Sequence, residues 1–272
     1  LLEEYQKTYR QLQVVELKQE AKLIPGKKFP LSIGIKTAKH EIVLLTDADC
    51  VPNSECWIDK MQESFDENTE IVLGYGAYHK KPGLLNKIVR WETFHTALQY
   101  FSYALAGKPY MGVGRNLSYK KTIFFRHKGF SAHNNIPSGD DDLFINMAAT
   151  KKNTRINIDK EAFTLSEAPK TWGAWIRQKN RHYSTGKFYK PVHKFLLGLY
   201  TFSHMLFYPL LAASLIFFNW QLALIVFGIR FLIQGIILYP CMNKLNELAM
   251  YPWFLFIDIW MFFYYLIFAV AV

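Results

Sequence analysis

Two groups of carboxylates have the types and spacing to do chemistry. Asp47 and Asp49 stand one residue apart in Thr46-Asp47-Ala48-Asp49, and Asp140, Asp141 and Asp142 are consecutive in Ser138-Gly139-Asp140-Asp141-Asp142-Leu143. Two hard oxygen ligands at i and i+2 ahead of a turn suit a divalent cation that in turn holds phosphate oxygens. A solvated acidic turn has the same look, and the pair alone leaves those readings even. Three carboxylates at the mouth of a helix exceed what the helix dipole asks for. Their mutual repulsion raises at least one pKa unless a cation or donor relieves it.

The elements that must position these groups can be read from periodicity. Ile42-Val43-Leu44-Leu45, ended by Asp47 and then by Pro52 and Asn53, reads as a buried strand of a parallel sheet whose carboxyl end opens into a loop, the edge at which α/β sheets bind ligands. Leu12 to Leu17 has the β-branched content of a short strand. Pro25-Gly26-Lys27-Lys28 is a basic turn, facing either solvent or phosphate. Asn53 and Ser54 are good N-caps for a helix whose Trp57, Met61 and Phe65 share a core face. Ile71 to Tyr78 is strand-like, with Gly74 and Gly76 marking close approach of a ligand or another backbone. Leu84 to Ala106 reads as an aromatic-rich helix, either lying at a membrane interface or packed in the core. The glycines of Met111-Gly112-Val113-Gly114-Arg115-Asn116 lack the third glycine of a dinucleotide fingerprint, which excludes that class of cofactor. Thr154 to Ile158 and Ala162 to Ser166 read as two short strands. Thr171 to Thr185 reads as a basic, aromatic helix that puts Gln178 and Arg181 on one face.

Charge divides the chain. From Phe195 to Val272 only Arg230, Lys244, Glu247 and Asp258 are charged and they cancel, so the whole formal charge of +10 sits in residues 1–194. Three stretches, about 195–218, 222–242 and 253–272, are long and apolar enough to cross a bilayer. Lys187, Lys190, His193 and Lys194 form a basic collar ahead of the first, which places residues 1–194 on the cytoplasmic side by the positive-inside tendency. Arg230 and Gln234 share a helix face inside the second span and Asp258 lies in the third. They suit either a structural pair between helices or a polar wall for a passing substrate. Cys50, Cys56 and Cys241 have no metal-ligand spacing and cannot close a disulfide framework.

In order and spacing these motifs resemble those of the membrane-anchored family 2 glycosyltransferases, the group that includes cellulose and hyaluronan synthases and ceramide glucosyltransferases. Asp47-Ala48-Asp49 resembles the DxD motif, Ser138 to Leu143 the TED-x-D-L segment, and Gln178-Lys179-Asn180-Arg181-His182 the (Q/R)xxRW motif. Gly139 stands where the motif has Glu, and His182 where it has Trp. The likeness implies an α/β, GT-A-like (Rossmann-like) mixed-sheet domain over residues 1–194, followed by a membrane domain of three transmembrane helices over 195–272. It implies a nucleotide-sugar donor, Mg²⁺ or Mn²⁺ on Asp47 and Asp49, and Asp140 as the general base of an inverting transfer. Gln178, Arg181 and His182, with Lys28 as a weaker candidate, would serve the donor diphosphate and acceptor side, and Asp141 and Asp142 are secondary acidic residues. The acceptor would be a lipid or a glycan at the cytoplasmic membrane face, with membrane lipids as partners and no nucleic acid. The family's first strands are expected to precede this chain. A non-catalytic membrane partner on a degenerate transferase fold is the alternative, and a membrane-tethered nucleic-acid-binding module is a weaker one.

Overall fold

The structure, a computed structural model, describes residues 2–17 and 26–269. Pro25 of the basic turn and the end of the third apolar stretch, 270–272, lie outside the described residues. Helix α1 (Leu2–Thr8) has no buried residue. The strand expected over Leu12 to Leu17 is not formed: no neighbouring strand pairs with it, and Val15 and Leu17 are exposed. An isolated strand leaves its backbone groups to water.

The α/β layer begins at α2 (Lys28–Thr37) and β1 (Ile42–Leu45). It continues through β2 (Cys50–Pro52), α3 (Trp57–Gln62), β3 (Ile71–Leu73), β4 (Gly76–Tyr78), α4 (Leu84–Leu105), β5 (Leu117–Lys120), α5 (Lys121–Arg126), α6 (Asp142–Ala148), β6 (Thr154–Ile156), β7 (Thr164–Ser166) and α7 (Trp172–Tyr183). Two mixed sheets form, ordered β1-β5-β3-β6 and β2-β7-β4. Strand β1 pairs antiparallel with β5, Val43 opposite Tyr119, and closes one edge of the described sheet. That corrects the expectation of a buried parallel strand. A short apolar run looks the same beside either kind of neighbour, and its partner lies some seventy residues downstream.

The run Ile71 to Tyr78 is two strands rather than one, because it leaves the first sheet after Leu73 and joins the second at Gly76. Asn116 pins the crossing. Its Nδ2 donates to the Tyr75 and Ala162 carbonyls at 3.1 and 2.7 Å, and its Oδ1 accepts from Trp57 Nε1 at 3.1 Å. A Cβ on Gly74 would stand 2.5 Å from the Asn116 side chain, so glycine is needed there. Trp57 and Met61 pack with Val72 and Ala162 as a small core, as their helical spacing predicts. Helix α4 is a core helix. Phe94, Tyr100 and Phe101 are buried, and the Tyr100 hydroxyl donates to the Gly74 carbonyl at 2.8 Å.

Three helical stretches long and apolar enough to cross a membrane complete the chain: α8 (Pro191–Phe217), α9 (Trp220–Lys244), and Leu248–Phe268, in which a 3₁₀ stretch, Leu248–Trp253, leads into α10 (Phe254–Ala269). Pro191 opens α8, where its missing N–H costs nothing. Asn219 caps α9 by accepting from the Leu222 N–H at 3.0 Å. Asp258 joins all three stretches. It accepts from Arg230 Nη1 at 2.7 Å, Tyr208 Oη at 2.5 Å and Gln234 Nε2 at 3.3 Å. Of the two roles open to these residues in the sequence, the structural pair is the one the contacts form.

Candidate functional site

Strand β1 delivers its carboxylates to a loop that a single threonine fixes. Thr46 Oγ1 donates to the Arg115 carbonyl at 3.0 Å, and the Cys50 N–H turns back to the Asp47 carbonyl at 3.0 Å. Asp49 is exposed and Asp47 half-buried. Lys27 Nζ lies 2.6 Å from Asp47 Oδ1 and 3.2 Å from Asp140 Oδ2. One ammonium therefore links the two acidic motifs, which are ninety-odd residues apart in sequence. Burial alone would lower the Lys27 ammonium, but Asp140 and then Asp47 override it and hold it above its ordinary value. Sequence reasoning favoured its neighbour Lys28. That side chain is buried and donates to the His133 and Ile136 carbonyls at 2.6 and 2.8 Å, which commits it to the loop ahead of Asp140 rather than to a diphosphate.

The three consecutive aspartates have three different surroundings. Asp141 is the N-cap of α6: its Oδ1 accepts from the Asp142 N–H at 2.8 Å and its Oδ2 from the Gly114 N–H at 2.7 Å. Asp142 reaches the segment after α7, accepting from Thr185 Oγ1 at 2.5 Å and Tyr189 Oη at 2.7 Å. Burial, and then Asp141, push it up to about 7 against those donors. Asp140 is 6% exposed. Burial and Asp141 raise its carboxyl, while Lys27 pulls it down. Gly139, where the related motif has Glu, sits at φ +89°, and a Cβ there would meet Leu143 Cδ1 at 2.4 Å. The chain's route into the aspartates thus requires glycine.

A cavity of about 1110 Å³ gathers most of these groups. Asp47, Asp49, Asp141, Asp142, Gln178, Arg181 and His182 line it, and so do Leu197, Thr201, Met261, Tyr264 and Phe268 from the apolar helices. Asp140 stands behind this wall and Lys28 is away from it. Gln178 donates from Nε2 to Tyr78 Oη at 3.3 Å, while its Oε1 is buried with no hydrogen-bond partner among the described residues. His182 is exposed on the cavity, and the packing around its ring, then Lys179 and Arg181, hold its imidazole below its ordinary value.

Two lining residues escaped sequence reasoning. Arg115 lies over the Tyr78 ring at 4.4 Å and donates to Ser166 Oγ at 3.2 Å. Tyr75 is 1% exposed and its hydroxyl has no hydrogen-bond partner among the described residues. Tyr75 comes from the crossing between β3 and β4 and Arg115 from the turn just ahead of β5, where no periodicity marks them; the one available signal was the pair of glycines that lets the chain cross beside them. Among the described residues no three of His, Cys, Asp and Glu gather into a metal cluster. Asp47 and Asp49 nevertheless fit a hard divalent cation, since both face the cavity and leave it open to further oxygen ligands. Lys27 already lays a positive charge on one of them.

Residues 42–272 match the family described as glycosyl transferase family group 2, and the chain belongs to that family. No curated protein matches the chain. Among solved structures, the chain is similar to the mannosyltransferase PcManGT from Pyrobaculum calidifontis in complex with GDP-Man and Mn2+, at 17% identity and a TM-score of 0.49, over 95% of this chain and 73% of that one.

Proposed function

We propose that the chain is a metal-dependent, inverting hexosyltransferase that moves a sugar from a nucleotide sugar to a lipid or glycan acceptor at the cytoplasmic face of a membrane. The observation that carries this is the single cavity in which the acidic loop, the α6 aspartates, the basic face of α7 and the apolar helices meet. Residues 1–194 form the catalytic part in this reading and 195–272 the anchor.

Asp47 and Asp49 would hold Mg²⁺ or Mn²⁺, which when bound neutralises charge on the departing nucleoside diphosphate. Arg115 and Arg181 line the same cavity and suit phosphate oxygens, because a planar guanidinium matches them in pairs. Asp140 takes the proton of the acceptor hydroxyl as the anomeric carbon is attacked from the face opposite the leaving group. Its burial favours proton uptake; since it stands behind the cavity wall, it must first be uncovered and released by Lys27. His182 stacks less broadly than the Trp of the related motif, which favours a single transfer over polymer extrusion. The apolar end of the cavity fits a lipid-borne acceptor. The basic collar at Lys187, Lys190 and Lys194 supports the cytoplasmic orientation.

Radiolabelled transfer from a panel of UDP- and GDP-sugars into membranes, with and without Mn²⁺, tests this. Label should enter the lipid or glycan fraction from one donor and fall to background after chelation. Absence of transfer from every donor would leave the non-catalytic reading standing.

A further inference from the structure

We infer that Glu92 is a positioning residue that sets helix α7, and with it Gln178 and Arg181, against the catalytic layer through a buried ion pair with Lys179. Glu92 and Lys179 side chains are 9% and 8% exposed and are in direct ionic contact. Helix α7 carries Arg177, Lys179, Arg181 and His182 and no acidic residue, so its cations repel one another and the helix has no partner of its own to bury them. Glu92 supplies the opposing charge from α4, and Thr96 Oγ1 holds its other oxygen at 3.1 Å. Lys179 lies one residue after Gln178 and two before Arg181, so fixing it fixes the rotation of the face that both present.

The contacts around α7 differ in stiffness. Against α10 it is held by rings, Trp175 on Tyr264 and Phe268 with centroids 5.9 and 5.8 Å apart, and at its last residue by a hydrogen bond between the Tyr183 and Tyr264 hydroxyls at 2.8 Å. Ring contacts tolerate sliding, and the buried pair of charges fixes the helix beside Gln178 itself. Helix α4 is itself anchored two residues earlier, where Arg90 pairs with Glu247 in the turn after α9, with side chains 6% and 2% exposed. Residues two apart point to nearly opposite sides of a helix. Helix α4 therefore acts as a strut, with Arg90 gripping the apolar helices and Glu92 gripping α7.

The kinetic arm of the test rests on the transferase reading; the exchange arm does not. The full chain in lipid nanodiscs is compared with Glu92→Gln, Lys179→Met and the double variant. Hydrogen exchange over residues 172–183 should quicken about tenfold in each single variant while β3 and β5 keep their protection, and the double variant should recover part of that loss, because no buried charge is left alone. Transfer kcat should fall about 10- to 100-fold in Glu92→Gln, as expected for misplaced groups, with donor KM little changed, and the double variant should be no worse than either single one. Unchanged α7 protection in Glu92→Gln overturns the inference whether or not transfer is ever detected. Additive kinetic losses overturn it too, since Glu92 would then act on substrate directly. Should Glu92→Gln not fold, Glu92→Asp, which keeps the charge but withdraws it, replaces it with the same expectations.

Discussion

Two polar clusters in this molecule use the same ingredients, carboxylate, cation and tyrosine, and wire them differently. Among the apolar helices Asp258 is a single carboxylate saturated by Arg230, Tyr208 and Gln234. At the acidic wall of the cavity Lys27 pairs with Asp47 and with Asp140 behind it, Asp141 and Asp142 follow directly, and Asp142 is pushed up to about 7. The balanced cluster closes a structure. The unbalanced one is held short of neutrality by the fold, which is the condition under which a site accepts a metal, a proton or a phosphate. Surplus charge, rather than the presence of charge, separates the two.

The sharpest way to break this contrast is to remove one carboxylate from the surplus. Asp140→Asn should lower transfer about 10³-fold, within the range for losing a general base, while thermal stability holds or rises because repulsion with Asp141 is relieved. Near wild-type transfer would remove Asp140 from the chemistry. The opposite outcome is expected among the helices. Arg230→Met leaves Asp258 buried without its cation and should cost about 3 kcal/mol or more, read by thermal unfolding in nanodiscs, with transfer per folded molecule retained.

The third test is a pH dependence. Asp142 binds its proton more tightly folded, at about 7, than unfolded, near the ordinary carboxylate value of 3.8. Its contribution is therefore fully present below about 3.8 and is lost as pH rises to about 7. The slope is at most about 1.4 kcal/mol per pH unit. Asp142→Asn should flatten the fall in Tm over that interval, and an unaltered profile would show that other groups set it.

The lining of the cavity was more legible in the sequence than the fold around it. Asp47, Asp49, Gln178 and Arg181, which the structure gathers there, could be chosen because each motif is local and its residue types are unusual for its place. Choosing Lys28 over Lys27 failed because the direction of each depends on where α2 begins, and neighbouring residues on a helix point about 100° apart. The antiparallel pairing of β1 was hidden because Ile42 to Leu45 reports burial but not the direction of Leu117 to Lys120. Arg115 and Tyr75 were invisible for a related reason: the break between two sheets makes them neighbours of the cavity, and nothing in Gly74 to Gly76 states that the chain changes sheet there. The apolar stretches were found to within a few residues at each end, since length and hydropathy suffice for them.

Gly139 has a consequence for how this site can change. Its positive φ and the Leu143 side chain 2.4 Å from any added Cβ mean that the Glu of the related motif cannot be regained by one substitution. The loop would first have to be rerouted, and that would move Asp140 before any benefit of the new carboxylate appeared. The aspartate triplet is thus entered through a position where any side chain would have to displace Leu143 and hold a left-handed backbone.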